Sequence, residues 1–258
     1  LASWPRPSSR AAARARRGPK AAEYLSGLFG ELGLRGLGEA GEAYLQNFAM
    51  TVKTPVSCYL ESDHGRADNW TDFMELHSDF AGRRIAEAFA SAARDGRRPA
   101  RNVVFLAPDA EELGGLGSKF YLEHPLFPLS GVLADINIDG IGREDAERPG
   151  LRDFVHLYLS RNGRADLASV RDRALEWTAP SLRVEPRENY SGSDHAFFEE
   201  RLIPAIAFST GQPRDHHRPT DTPDMLGYRN IRDIARLAFA MAWEIAFDER
   251  PIERIVSE

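Results

Sequence analysis

The stretch 103–121, VVFLAPDAEELGGLGSKFY, decides how this chain is read. Its greasy start, Val103 to Leu106, predicts a buried strand over Asn102–Pro108. Two glutamates, Glu111 and Glu112, stand side by side just past the end of that strand. Glycines then open what reads as a helix. On its own, a Glu-Glu pair at a helix start is a favourable interaction with the helix dipole. Its position beyond a strand end gives it a second reading: one carboxylate as metal ligand, its neighbour as a base for a bound water.

Working outward, strand and helix patterns alternate. Residues 19–34, PKAAEYLSGLFGELGL, carry apolar positions at helical spacing and end in Gly and Leu. Val56–Leu60 predicts a strand, Arg83–Arg94 a helix, Val132–Asp139 a strand and Phe154–Ser160 another. Arg164–Trp177 reads as a helix, Ile203–Thr210 as a buried strand and Ile231–Phe247 as a long closing helix. The alternation predicts an α/β fold: a three-layer α/β/α arrangement around a central mixed, mostly parallel sheet. In such sheets ligands gather at the carboxyl ends of strands. Polar groups fall there: Glu111 and Glu112, Asp139 after the 132–139 strand, His217 after the 203–210 strand, and Asp63 and His64 after the 56–60 strand. Carboxylates with imidazole suit zinc.

Bulk composition excludes other classes. The net charge of −6 argues against nucleic acid as a partner. No run of about 18 apolar residues is present, so no membrane-spanning helix is expected. Cys58 is the one cysteine, which rules out an intrachain disulfide or a cysteine zinc knot. Residues 1–18 read as a basic arm with Arg6, Arg10, Arg14, Arg16 and Arg17, and 19–258 as one catalytic domain.

The stretches AEELGGLGSKFYLEHPLFPL, INIDGIGR, YSGSDHAFFEERLIPAIAFSTG and DHHRPTDTPD occur in this order over roughly residues 103–225. In them the chain resembles the cocatalytic zinc aminopeptidases that include bacterial leucyl aminopeptidases and have glutaminyl cyclases as relatives. The resemblance implies Glu111 as general base and Glu112, Asp139 and His217 as zinc ligands. His216 stands where the family has tyrosine. Ser193, Asp194 and His195 match a motif beside the pocket, as second-layer or substrate-facing groups; their other reading is a helix cap with a buried histidine. In ESDH, Glu61 occupies the slot of a ligand histidine, and Asp63 that of the aspartate orienting it. His64 or His77 is a replacement nitrogen. The bridging aspartate is Asp79, with Asp68 as the alternative.

What the resemblance implies is a zinc aminopeptidase acting on peptide amino termini, with two zincs, or one. Its alternatives are a single-zinc glutaminyl cyclase and a non-catalytic binding module with a degraded metal site. A secreted or periplasmic location follows from the resemblance alone.

Overall fold

The computed structural model describes residues 22–36, 44–46, 60–62, 65–67, 77–178, 181–218, 220–248 and 252–253, the segments 60–62, 65–67 and 77–80 as backbone only. The chain forms two compact units, 1–74 with 217–221, and 75–216 with 222–258.

In the first unit, helix α1 (22–31) answers to the 19–34 pattern. It stops where the sequence places glycine. Gly33 adopts φ +72°, Leu34 N–H donates to Phe29 O and Gly33 N–H to Gly30 O. That pair of bonds is the Schellman stop, which needs a left-handed residue at this position. Tyr44 covers the stop, its hydroxyl donating to Leu34 O at 2.7 Å. Strands β1 (Leu60–Ser62) and β2 (Gly65–Ala67) form a short antiparallel hairpin. Most of the expected 56–60 strand, with Cys58, lies outside the described residues, as do Asp63, His64 and Asp68.

The second unit holds the sheet. Helix α2 (His77–Arg94) begins six residues earlier than the pattern suggested, which puts Asp79 in its first turn instead of ahead of it. After α3 (Leu116–Glu123) come β3 (Asp135–Ile138), β4 (Phe154–Leu159), α4 (Arg164–Thr178), β5 (Arg183–Arg187), α5 (His195–Glu200), β6 (Ala205–Ser209) and α6 (Tyr228–Phe247). The sheet order is β3-β6-β4-β5. Two of its pairings are parallel, β3 with β6 and β4 with β5; β4 and β6 are antiparallel.

The expected strand at 102–108 joins no ladder among the described residues, and this corrects the opening reading. Burial still alternates along it. Val103 and Phe105 pack on the core, while Val104 and Leu106 are 39% and 42% exposed. A greasy period-two run reports which side chains face the core. It does not supply the second backbone that a ladder requires about 5 Å away. Conversely, β5 was missed because RVEPR is charged and contains Pro186, features tolerated at a sheet edge.

Register sorts the sheet into two chemically different faces, because side chains alternate along each strand. Ile136, Ile138, Val155, Leu157, Leu159, Val184, Ile206 and Phe208 share one face and join the main core with α2, α4 and α6. The opposite face carries Asp135, Asn137, Ala205, Ala207, Ser209, His156, Tyr158, Glu185 and Arg187. Helix α5 packs on that face against β3 and β6, and α3 packs on α5. Tyr121, Leu122, Phe198 and Ile203 form a smaller core there. Both β4 and β6 are buried throughout, so both faces of the central strands are covered. The polar face is therefore enclosed, and its polar groups need partners.

Candidate active site

The chain approaches the site through a tight turn. Ala110 has φ +60°, Gly114 +92° and Gly115 +67°. Glu111–Leu113 make a single 3-10 turn between them. Gly117 N–H donates to Asp109 O at 2.9 Å, closing the loop. The turn brings Glu111 within reach of the charge of Asp139, which follows Ile138 at the end of β3.

The electrostatics record that meeting. The Glu111 carboxyl is pushed up to about 7, first by burial and then by the negative charges of Glu112, Asp194 and Asp139. Each charge that shifts it is a carboxylate. Such crowding disfavours ionisation of any one member. Asp194 is itself raised, by burial and by Asp139, against the opposing effect of Ser118, whose hydroxyl donates to Asp194 Oδ1 at 2.6 Å.

Beneath this rim lies a row of polar residues from β3. Asn137 Nδ2 donates to Ser193 Oγ at 2.8 Å and reaches His195 Nδ1 at 3.4 Å. His195 is fully buried. Its Nε2 faces the Tyr190 carbonyl oxygen at 2.9 Å. A carbonyl only accepts, so Nε2 carries the proton and Nδ1 is the acceptor. Burial lowers the His195 pKa, in keeping with a neutral ring. The SDH motif thus forms the start of α5 with a buried histidine.

At the start of β3 is Asp135, its carboxyl held up to about 7 by burial and the Asp194 charge. Its Oδ2 is shut from solvent with no hydrogen-bond partner. A carboxyl raised on folding favours the fold at low pH, fully below its ordinary value of 3.8, and that contribution is lost as pH rises through 7. Asp135→Asn should therefore raise the melting temperature by a few degrees at pH 8 and have no such effect at pH 4; thermal melts at the two pH values test this.

The loop after β6 is tied to the loop after β3. Arg143 Nη2 bonds Asp215 Oδ2 at 3.1 Å, Ala146 N–H donates to Gln212 O at 2.9 Å and Thr210 N–H to Gly140 O at 3.0 Å. His216 ends this anchored segment, its N–H on Pro213 O. His217, with φ +58°, belongs to the first unit.

The structure thus brings together Glu111, Glu112, Asp139 and Asp194, with Ser193 and His195 below them. Among the described residues no three His, Cys, Asp or Glu side chains are arranged to hold a metal ion. Asp63, His64 and the Asp79 side chain lie outside those residues. The acidic groups around Glu111 nevertheless have the donor chemistry of a divalent-cation site, since a cation would offset the repulsion that raises it.

Sequence reasoning overlooked Tyr190. Its phenol is shifted upward by burial, Asp139 and Glu111, while a Ser209 hydrogen bond to the phenol opposes this. The tyrosine that opens YSGSDH was the available signal.

A mixed sheet flanked by helices, with an acidic cluster near the end of a strand, makes this an α/β protein with carboxylates at a strand end. The model of peptidase family M28 matches residues 84–242, more than half the chain. The chain belongs to peptidase family M28. Among solved structures it is similar to an aminopeptidase from Aneurinibacillus sp. strain AM-1, at 16% identity and TM-score 0.51 over 69% of this chain and 40% of that one. It is also similar to BSAP, a zinc aminopeptidase from Bacillus subtilis, at 20% identity and TM-score 0.53, covering 66% and 41%. A peptidase M28 precursor from Shewanella amazonensis SB2B matches at 18% identity and TM-score 0.53, covering 74% and 42%. These likenesses concern the fold, and the chain spans less than half the length of these three. No curated protein matches it.

Proposed function

We propose that this chain is a zinc-dependent aminopeptidase that releases amino-terminal residues from peptides. One observation carries the reading. Glu111, on a strained turn at the rim, sits among three other carboxylates and is raised to about 7. A group that is half protonated near neutral pH can both take and return a proton.

In this reading Glu112, Asp139 and His217 would hold zinc, with Asp79 (Asp68 the alternative) as bridge and His64 in place of the nitrogen missing at Glu61. Bound zinc would polarise the scissile carbonyl and acidify a water. Glu111 takes the proton from the attacking water and returns it to the leaving amine. The Tyr190 phenol O–H can donate, and the carbonyl oxygen of a peptide is a suited acceptor.

The test pairs elemental analysis with turnover of aminoacyl-nitroanilides. Near two zincs per chain with nitroaniline release is the expected result, and His217→Ala should lower the zinc content markedly. Near one zinc, with cyclisation of amino-terminal glutamine, would favour the cyclase reading. No zinc and no turnover would leave a binding module.

A further inference from the structure

We propose that Asn137 and His195 are positioning residues that hold Tyr190 over the polar face of the sheet, beside Glu111 and Asp139. For its kinetic consequence, the inference rests on the aminopeptidase reading above.

The geometry runs in one line. Asn137 is on β3, and its amide meets both Ser193 and His195. With Asn137 donating to Nδ1, the imidazole proton is confined to Nε2. That proton is directed at the Tyr190 carbonyl, 2.9 Å away. The same ring lies against the tyrosine it holds: the His195 and Tyr190 planes are stacked, centroids 4.8 Å apart and 26° between planes. One side chain thus fixes both the backbone and the ring of Tyr190.

Two other contacts complete the seat. Tyr158 packs on His195 at 5.3 Å and edge-on to Tyr190 at 6.4 Å. The Arg187 guanidinium lies over the Tyr190 ring, 4.6 Å from its centroid. On β6 the residues of this face are Ala205, Ala207 and Ser209. Small side chains there allow the imidazole and phenol to lie close to the sheet. Larger ones would fill the space. Arg187 alone could hold the ring by its charge, but it makes no bond to the Tyr190 backbone that would set the ring's height.

The prediction is a relay in which His195 acts through Tyr190. A rotation of the phenol by about 1 Å is enough to spoil a contact to a reacting group. Changes to such supporting residues cost roughly 10- to 100-fold. Three variants separate this from a simple packing role. Tyr190→Phe keeps the ring and removes the hydroxyl. His195→Leu keeps bulk and removes the donor. His195→Gln keeps a donor near the place of Nε2.

On an aminoacyl-nitroanilide, Tyr190→Phe and His195→Leu should each lower kcat by about 30-fold with KM little changed. The double variant should be no worse than Tyr190→Phe alone, and His195→Gln should recover most of the loss. Multiplying effects, or a glutamine variant no better than leucine, would overturn the proposal. A second readout does not need turnover. Long-range proton–nitrogen spectra of the imidazoles should show His195 neutral and protonated at Nε2 at pH 7. Asn137→Leu should shift both the His195 ring nitrogens and the Tyr190 ring protons. A proton on Nδ1, or Tyr190 signals that stay in place, would overturn the relay. If the wild-type chain releases no nitroaniline, the aminopeptidase reading fails, and the spectra decide the positioning on their own.

Discussion

Glu111→Gln should lower turnover by about a thousandfold or more while leaving the zinc content unchanged. The substitution keeps the size and polarity of the side chain and removes the proton acceptor. It takes away no ligand, because Glu112 is the neighbour assigned to metal. Loss of metal in this variant would transfer the ligand role to Glu111 and undo the division of labour between the pair.

The same substitution has an opposite effect on stability, which makes the prediction harder to satisfy by accident. Glu111 is raised from 4.5 to about 7 in the folded chain. A carboxyl raised on folding stabilises the fold fully below 4.5, and that contribution disappears as pH rises through 7. Above pH 7 the ionised side chain repels Glu112, Asp194 and Asp139. Metal-free Glu111→Gln should therefore melt at a higher temperature than wild type at pH 8. Near pH 4, where wild-type Glu111 is protonated, the two should melt together. Activity of the wild type should fall on the acid side as Glu111 is protonated, and a bound cation should move that limb below 7. A variant that is inactive because it is misfolded would fail the melting test.

The parts of this fold that were legible in the sequence are those governed by local periodicity. Helices α4 and α6 came out close to their patterns because apolar spacing alone defines a helix face. The Schellman stop of α1 was visible in Gly33. The strands β3, β4 and β6 were visible as apolar runs. Their alternation hid a further message: D-I-N-I-D and F-V-H-L-Y-L each place polar groups on one face and apolar groups on the other. Only the register shows that those polar sets share a face.

Pairing was not legible, since it depends on a second backbone. Hence 102–108 reads as a strand and joins no ladder, and the charged edge strand β5 was passed over. The same limit applied to the site. Glu111, Glu112, Asp139 and Asp194 could be named from motifs, but the crowding that raises Glu111 is a property of their meeting. Tyr190 was passed over although it opens the YSGSDH stretch, because nothing in the sequence alone shows which side chains will meet its ring. His195, five residues on, and Asn137, far off in sequence, give it a role.

Gly117→Ala should destabilise the chain by about 3 kcal/mol and cut turnover with it. Gly117 is the second residue of α3, where alanine is the better helix former, so local propensity predicts the reverse. Tertiary packing decides instead. A Cβ built at Gly117 would lie 2.4 Å from the Asp109 carbonyl oxygen and 2.6 Å from its nitrogen. Both atoms are backbone, so no side chain can rotate away. The methyl must separate 109 from 117 and break the Gly117 N–H bond to Asp109 O. That bond closes the turn whose Ala110 already sits at φ +60°, and the turn is what places Glu111 near Asp139. At this chain length the loss corresponds to a melting temperature lower by roughly 6–12 °C. Gly82→Ala in the middle of α2 is the matched control. Its Cβ would meet nothing within 4 Å, so it should stabilise by about 0.5–1 kcal/mol and leave turnover alone. Equal melting shifts for the two variants would mean that the 109–117 turn yields to the methyl group, and that Glu111 is not held by close backbone packing.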